Sequence, residues 1–430
     1  MKKLIAILLT AAMLLTLTGC AGNTQTTATQ ATEESKAFTP KLDTQAEISL
    51  NVVGDYGNFE ALEQVIQDFQ QYYPNVTITY EQLTDFNTGF PIRCASGESL
   101  DLFFVNTMNY ARVLAGAIPE YTLDLNTIDG IDLSAINEKA LEGGQLDGAQ
   151  VLLPVFYQTY GLIANKTLLE KYGLSVPTTY EELINACDTL LSQGITPIYG
   201  GLTLRTRLFE SAALQQLMTA ENRDALCADM QQGVLDPSIA QAAVDAYQLF
   251  DEKGYFNPEA DTLKDTYGSA ILRFFEGDVP FLVSTSDTIS GCKKREAKSE
   301  AFTAAPFDYT YFIPSVTAEN EPAVLRANMF FGVYNKSEHL DYASEFIRFM
   351  ATEPELKALP TVKGMPSVLK AATGDSRFVQ VESLAEDRRL YSVDVPCGIS
   401  ALSSLNASME LLPDGSAQAM VDYFAEKMAN

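Results

Sequence analysis

The sequence predicts an α/β protein built on mainly parallel sheet, and three observations predict it: a strand-helix-strand unit, a third apolar run behind it, and amphipathic helical stretches recurring to the carboxyl end. Ile48, Leu50 and Val52 alternate with polar residues, as a strand does whose successive side chains point to opposite faces. Asn58 is placed to cap a helix carrying Leu62, Val65, Ile66 and Phe69 on one face, and Pro74-Asn75 leads into Val76-Thr77-Ile78. The run Leu102-Phe103-Phe104-Val105 continues the sheet, with right-handed crossovers expected. Thr178 and Thr179 stand three residues before Glu181 and Glu182, two overlapping capping boxes, in which a hydroxyl and a carboxylate satisfy the first free N–H groups of a helix. The stripe Leu183, Cys187, Leu190 and Leu191 follows and stops at Gly194. Two more helices are expected: one from Ser238 through Val244, Tyr247 and Phe250, the other from Asp341 through Phe346, Ile347 and Met350.

The chain has 430 residues with 47% hydrophobic content, enough for two or three domain-sized units with ordinary cores. Its formal charge of -27, from 56 acids against 29 bases, repels nucleic acid, so no nucleic-acid partner is expected. His339 is the single histidine, which weakens mechanisms needing an imidazole base or a histidine metal cage. Tryptophan is absent while Tyr and Phe number 20 and 23, so any stacking platform must use those rings. No fixed-period repeat and no later run of apolar residues long enough for a membrane span is visible.

The amino terminus assigns the compartment. Met1-Lys2-Lys3 and the apolar stretch Leu4 to Leu17 read as an export signal over residues 1–19, too short for a comfortable bilayer span. Leu17-Thr18-Gly19-Cys20 resembles the lipobox of bacterial lipoproteins, which makes Cys20 the expected lipidation site and first mature residue. Loss of Lys2 and Lys3 with the leader takes the formal charge from -27 to -29. The two acyl chains of a diacylglycerol anchor stably where one binds only marginally. Residues 20–45, rich in Thr, Gln, Ala and Ser, lack the apolar side chains a core needs and are expected to form a lipidated tether with a reach of roughly 25–30 Å. The other cysteines, Cys94, Cys187, Cys227, Cys292 and Cys397, are odd in number and widely spaced, without a Cys-x-x-Cys pair. They imply neither a zinc site nor a dense disulfide frame; one or two disulfides and buried free thiols both fit.

No phosphate-binding loop, dinucleotide fingerprint or nucleophile elbow is present. Asp124-Leu125-Asn126 opens like a calcium loop but places Ile128 at the fifth position and Gly130 one place late. No metal and no cofactor are expected. Carboxylate pairs at glycosidase spacing can be hidden among so many acids, so a cell-surface glycosidase is the enzymatic alternative.

One block runs Leu153-Pro154, Tyr160, Asn165-Lys166, Leu168-Leu169, Tyr172-Gly173-Leu174, Pro177 to Leu183 and Gly194 to Ile198. It carries most of a likeness spread over nearly the whole mature chain, whose order of local patterns resembles the extracellular solute-binding proteins of family 1, the sugar-binding subunits of ABC importers. Ala164 stands where the family usually has Tyr, and Tyr180 where it has Trp. Phe274 to Asp278 with Phe281 to Ser284 is a second match; Gly332-Val333, Asn335-Lys336-Ser337, Ala343 to Met350 and Gly364-Met365-Pro366 form a weaker third.

The resemblance implies a two-lobed periplasmic-binding-protein-like fold, each lobe a mainly parallel sheet flanked by helices, with the chain crossing near Tyr157, Ser286 and Phe331. The expected amino-terminal lobe is 46–156 plus 287–330, and the carboxyl-terminal lobe 157–286 plus 331–430. A hinge between them lets the closed state be selected by a bridging ligand. The implied function is capture of a carbohydrate, an oligosaccharide by expectation, and its delivery to an ABC permease by a monomeric lipoprotein on the cell membrane of a Gram-positive bacterium, with no chemistry performed. A polyamine, peptide or phosphorylated solute is the alternative cargo.

Candidate ligand contacts follow from loop positions at strand ends. Asp55 and Tyr56 come after the first strand, as a hydroxyl acceptor and a ring face, and Asn106, Asn109 and Tyr110 after the run ending at Val105. By the resemblance, Tyr157, Gln158 and Tyr160 lie in the ligand-facing hinge segment, and Thr285 and Asp287 stand where the family often has an aromatic residue. Asn328 and Phe330 complete the set. Arg205 and Arg207 sit either on a surface helix or in the cleft, where they would favour an anionic ligand such as a uronate.

Overall fold

The alternation that marks Ile48–Gly54 as a strand (β1) gives way to burial on both faces from Val52 onward, because the strand sits inside its sheet with helices on both sides. The computed structural model describes residues 38–429 except 56, 58–59, 97, 99, 107–118, 263–267, 319–321, 372–380, 382–383 and 385–387. The export signal, Cys20, Tyr56, Asn58, Asn109 and Tyr110 therefore lie outside the described residues. The folded unit begins at Phe38.

β1 pairs in parallel with Val76–Gln82 (β2) and Leu102–Val105 (β3). A two-stranded hairpin, Gln145–Leu146 (β4) with Ala149–Gln150 (β5), precedes Leu153–Gln158 (β6). One residue, Thr159, separates β6 from Tyr160–Asn165 (β7), which opens a second sheet with Ile198–Tyr199 (β8), Phe281–Thr285 (β9) and Tyr309–Phe312 (β10) in the order β10-β7-β9-β8. The long strand Ala323–Val333 (β11) returns to the first sheet, pairing antiparallel with β3 and β6 and parallel with Arg389–Tyr391 (β12). The result is an α/β two-lobed fold with one sheet per lobe, but the mainly parallel sheet expected of each lobe is not found in the second, where only the β8–β9 pairing is parallel.

This pairing differs from the expected lobe division. Segment 287–330 is split, since β10 joins the second sheet and β11 the first. Phe331 is no crossing point: it faces Phe104 and Leu153 within the first sheet, and the chain crosses earlier, between Phe312 and Ala323. Helix Leu340–Met350 packs in the first core, where Phe346 meets Phe69 with ring centroids 5.1 Å apart. Helices Gly398–Ser408 and Ala417–Ala429 belong to the second core.

Local signals explain most elements. In helix Tyr180–Ser192 the Thr179 hydroxyl accepts from Glu182 N at 3.2 Å, while the Glu182 carboxylate accepts from Thr178 N and Oγ1 at 2.7 Å, so one cap forms across the two expected boxes. Gly194, at φ 75°, ends it, a left-handed position that glycine occupies without strain. Residues 38–45, expected in the tether, belong instead to the folded unit. Phe38 packs edge-on against Tyr72 and Phe349, and Lys41 N donates to Glu345 at 3.0 Å. Glu345 also accepts from Tyr73 and from Arg348. Burial raises its carboxyl, but Arg348 and Tyr73 outweigh that and hold it below the usual range.

One buried acid in the first lobe lacks such help. Glu355, in helix Glu353–Lys363, has a carboxyl oxygen with no hydrogen-bond partner among the described residues. Burial first, and the Asp68 charge second, push its carboxyl up to about 7 from 4.5. The folded state thus retains a proton that the unfolded chain has released, and the associated stability is complete below about pH 4.5 and lost as pH rises through about 7. Glu355→Gln is expected to raise the thermal midpoint at pH 8, by the equivalent of roughly 1–2 kcal/mol, and to change it little at pH 4.5. An equal effect at both pH values in scanning calorimetry would contradict the assignment.

Candidate functional site

Strand direction sets two edges against each other. β1, β3 and β6 run parallel, so Asp55, Asn106 and Gln158 emerge at the same edge of the first sheet. β7 starts one residue after β6, and β9 runs antiparallel to it, which places Tyr160 opposite Thr285 at the near edge of the second sheet. The first of these is a carboxyl edge, where ligands collect because the loops are free of the sheet's own pairing; the second mixes the start of β7 with the end of β9.

The crossing itself is a buried knot of hydrogen bonds. Thr159 N donates to Ser286 Oγ at 3.3 Å, Ser286 N donates to the Thr159 carbonyl at 3.1 Å, and Ser286 Oγ donates to the Tyr157 carbonyl at 3.4 Å. The Tyr311 hydroxyl bonds the Thr159 carbonyl at 3.0 Å and lies 2.6 Å from Thr159 Oγ1. Irregular backbone at a crossing leaves peptide groups outside any ladder, and these side chains satisfy them.

On the first edge, both carboxylate oxygens of Asp55 accept from Asn106 N at 3.2 Å, so the loop after β1 is tied to the loop after β3. Gln158 is partly exposed and pairs across the ladder with Arg326. Tyr157 is buried against the Tyr391 ring at 5.6 Å. Asn328 and Phe330 are 4% and 1% exposed; Asn328 Oδ1 accepts from Met329 N and Phe330 lies in the first core, so packing holds these two away from the partly exposed edge. Between them Met329 adopts φ 58°, a strained backbone for a residue with a side chain, of the kind that collects near functional sites.

On the second edge, Thr285 and Asp287 are hydrogen-bonded to one another and both partly exposed. Helix Leu202–Arg207 buries Arg205 and Arg207. Arg205 donates to the Tyr247 hydroxyl at 3.2 Å and covers the Phe256 ring at 4.8 Å, inside the second lobe. Arg207 bonds Glu410 at 2.8 Å and lines a narrow crevice with Tyr160, Glu210, Pro314 and Val324.

Two residues of this region had not been singled out. Arg326 of β11 is ion-paired with Glu210 of helix Glu210–Thr219 at 2.5 Å, and Asn406 Nδ2 donates to the other Glu210 oxygen at 2.8 Å. The pair joins a strand of the first sheet to a helix of the second lobe. Burial works against the Arg326 charge, yet Glu210 and Tyr160 outweigh it and raise the guanidinium further. Tyr160 is raised by burial first, with Arg326 and Arg207 opposing and Glu210 and Asp287 adding. The charges balance as pairs, Arg326 with Glu210 and Arg207 with Glu410. A signal for both was legible: an arginine inside the apolar run Ala323–Val333 and a lone acid opening the apolar stripe of helix Glu210–Thr219.

A cavity of about 690 Å³ lies elsewhere, at the far edge of the second sheet, lined by Asn165, Thr196, Arg273, Gly277 and Asp278 among others. It is separate from the facing edges. Among the described residues no cluster could hold a metal ion, and no helix is long and apolar enough to cross a membrane.

Two α/β lobes, joined at a hydrogen-bonded crossing and facing each other with polar edges, define a two-lobed solute receptor. The family model for bacterial extracellular solute-binding proteins matches residues 54–357, and the chain belongs to that family, whose members work outside the cytoplasm. The chain is 20% identical over 326 residues to a multiple sugar-binding protein of Streptococcus mutans, covering 73% of each. Among solved structures it is similar to RafE bound to raffinose, with TM-score 0.68 and 18% identity over 88% of this chain and 98% of that one. It is also similar to a sugar transporter of Bacillus licheniformis in complex with stachyose, with TM-score 0.63 and 18% identity over 88% and 98% of the two chains. A third likeness is to a chitin oligosaccharide binding protein, at TM-score 0.63 and 19% identity over 89% and 98%.

Proposed function

We propose that this protein captures an oligosaccharide between its two lobes and delivers it, chemically unchanged, to the permease of an ABC importer. The observation that carries this reading is the pair of facing edges, where Asp55, Asn106, Gln158, Tyr160, Thr285 and Asp287 supply acceptors, amides and one ring around the β6–β7 crossing. Carboxylates and amides accept and donate to vicinal hydroxyls, and a ring offers a face to the apolar C–H surface of a sugar. The sugar-binding names of the similar proteins support the same class of cargo. Tyr56, Asn109 and Tyr157 belong to the proposed contact set as well. In this reading the lobes meet at 158–159, between Phe312 and Ala323, and near Pro396. Cys20 carries the lipid anchor, residues up to 37 form the tether, and the receptor acts as a monomer on a Gram-positive cell membrane.

A ligand that binds only the folded form raises the melting temperature by mass action, by the equivalent of about 2.7 kcal/mol at a hundredfold excess over Kd. Raffinose, stachyose and chitin oligosaccharides are expected to include at least one compound that shifts the midpoint by several degrees. Silence from every sugar with a shift from a polyamine, peptide or phosphorylated compound would move the cargo to that class. Incubation with chromogenic glycosides is expected to release no chromophore; turnover above background would make the protein an enzyme.

A further inference from the structure

The described cysteines Cys94, Cys187, Cys227, Cys292 and Cys397 are all buried free thiols, yet two of them are neighbours. Cys227 lies in helix Arg223–Gln231, and Cys397 stands at the amino-terminal cap of helix Gly398–Ser408. Gln231, one turn after Cys227, donates from Nε2 to the carbonyl of Pro396 at 2.9 Å, which fixes the register of the two helices beside the cysteines. Cys227 stands close enough to Cys397 to help raise its thiol. Both are in the second core, 2% and 1% exposed.

We propose that Cys227 and Cys397 are a disulfide-forming pair, closed after export by exchange with an external disulfide. The family works outside the cytoplasm, where disulfides form and persist. One protein thiolate attacks the disulfide R–S–S–R of a thiol oxidant and releases R–S⁻; the other attacks the resulting mixed disulfide and releases the second R–S⁻. Two protein S–H bonds and one external S–S bond are broken, one protein S–S bond forms, and the protons pass to the two departing thiolates. Once the core is packed, burial first and the Cys227 contact second hold the Cys397 thiol up at about 12. A thiol of that kind is a poor nucleophile near neutral pH, so the exchange belongs to the folding chain and the finished bridge is protected. The bridge fastens the segment that leaves β12, at the last return of the chain to the second lobe.

The test is to isolate the exported full chain, quench it in acid, and alkylate it in denaturant with and without prior reduction. Of the five thiols of the folded part, three are expected to take label before reduction and all five after it, with one linked peptide pair carrying Cys227 and Cys397 in the unreduced digest. Five labelled thiols before reduction, after refolding in a mixture of oxidised and reduced glutathione, would overturn the proposal. So would a linked pair using any other cysteine. Cys227→Ser and Cys397→Ser are each expected to leave four labelled thiols without reduction; should either variant fail to fold, the wild-type peptide map decides alone.

Discussion

Glu210→Ala is expected to lower the thermal unfolding midpoint by roughly 3–10 °C, the largest effect of a single side chain near the crossing. The carboxylate is 2% exposed and holds Arg326 at 2.5 Å and Asn406 at 2.8 Å. Its removal leaves a buried guanidinium without its counter-charge, and an uncompensated buried charge costs about 3–5 kcal/mol. For a chain of this size each kcal/mol moves the midpoint by about 2 °C or less. Replacing both partners by methionine removes the orphaned charge together with the pair, so the double variant should lie closer to wild-type than Glu210→Ala does. Because Arg326 belongs to β11 of the first sheet and Glu210 to the second lobe, the single variant should also weaken solute affinity. Circular dichroism melts of the three variants check the ordering. A Glu210→Ala midpoint within about 1 °C of wild-type, as for an ordinary surface substitution, would show that the pair contributes nothing buried.

The second large effect is on binding. Asp55→Ala is expected to raise Kd for the captured oligosaccharide by about 10- to 100-fold, since hydrogen bonds to a charged group contribute roughly 1.5–3 kcal/mol. The carboxylate is held by Asn106 N at 3.2 Å to each oxygen. A carboxylate has about four acceptor sites, so one group can serve the loop backbone and sugar hydroxyls together. Asp55→Asn keeps one acceptor oxygen and should fall between Ala and wild-type. Isothermal titration with the sugar found in the melting panel reads both values. An unchanged Kd in Asp55→Ala, in a variant that melts like wild-type, would remove Asp55 from the contact set.

Elements with a period of their own were legible in the chain. The stripe of helix Tyr180–Ser192, the alternation of β1 and the apolar run of β3 all lie where the pattern places them, because a local period needs no knowledge of distant partners. Long-range pairing was not. β11 bonds to β3, β6 and β12, drawn from three separated parts of the chain, and no spacing inside Ala323–Val333 states those choices. For that reason Phe330 and Phe331, read as a contact and a crossing, lie in the first sheet and core. Residues 38–45, polar by composition, belong to the folded body because Phe38 finds an aromatic pocket supplied by Tyr72 and Phe349.

Asp55 and Asn106 were identified as strand-end residues, which depends only on where apolar runs stop, whereas Gln158 and Tyr160 came from the family resemblance. Bringing them to facing edges needed strand direction and the single-residue link at Thr159. Arg326 and Glu210 are 116 positions apart, and only packing shows that each neutralises the other. By itself the sequence determined the α/β class, the family resemblance and which residue types were available at strand ends. The tertiary structure decided which strands share a sheet, where the chain crosses and which charges are paired, because those are contacts between segments whose separation along the chain carries no record of their distance in space.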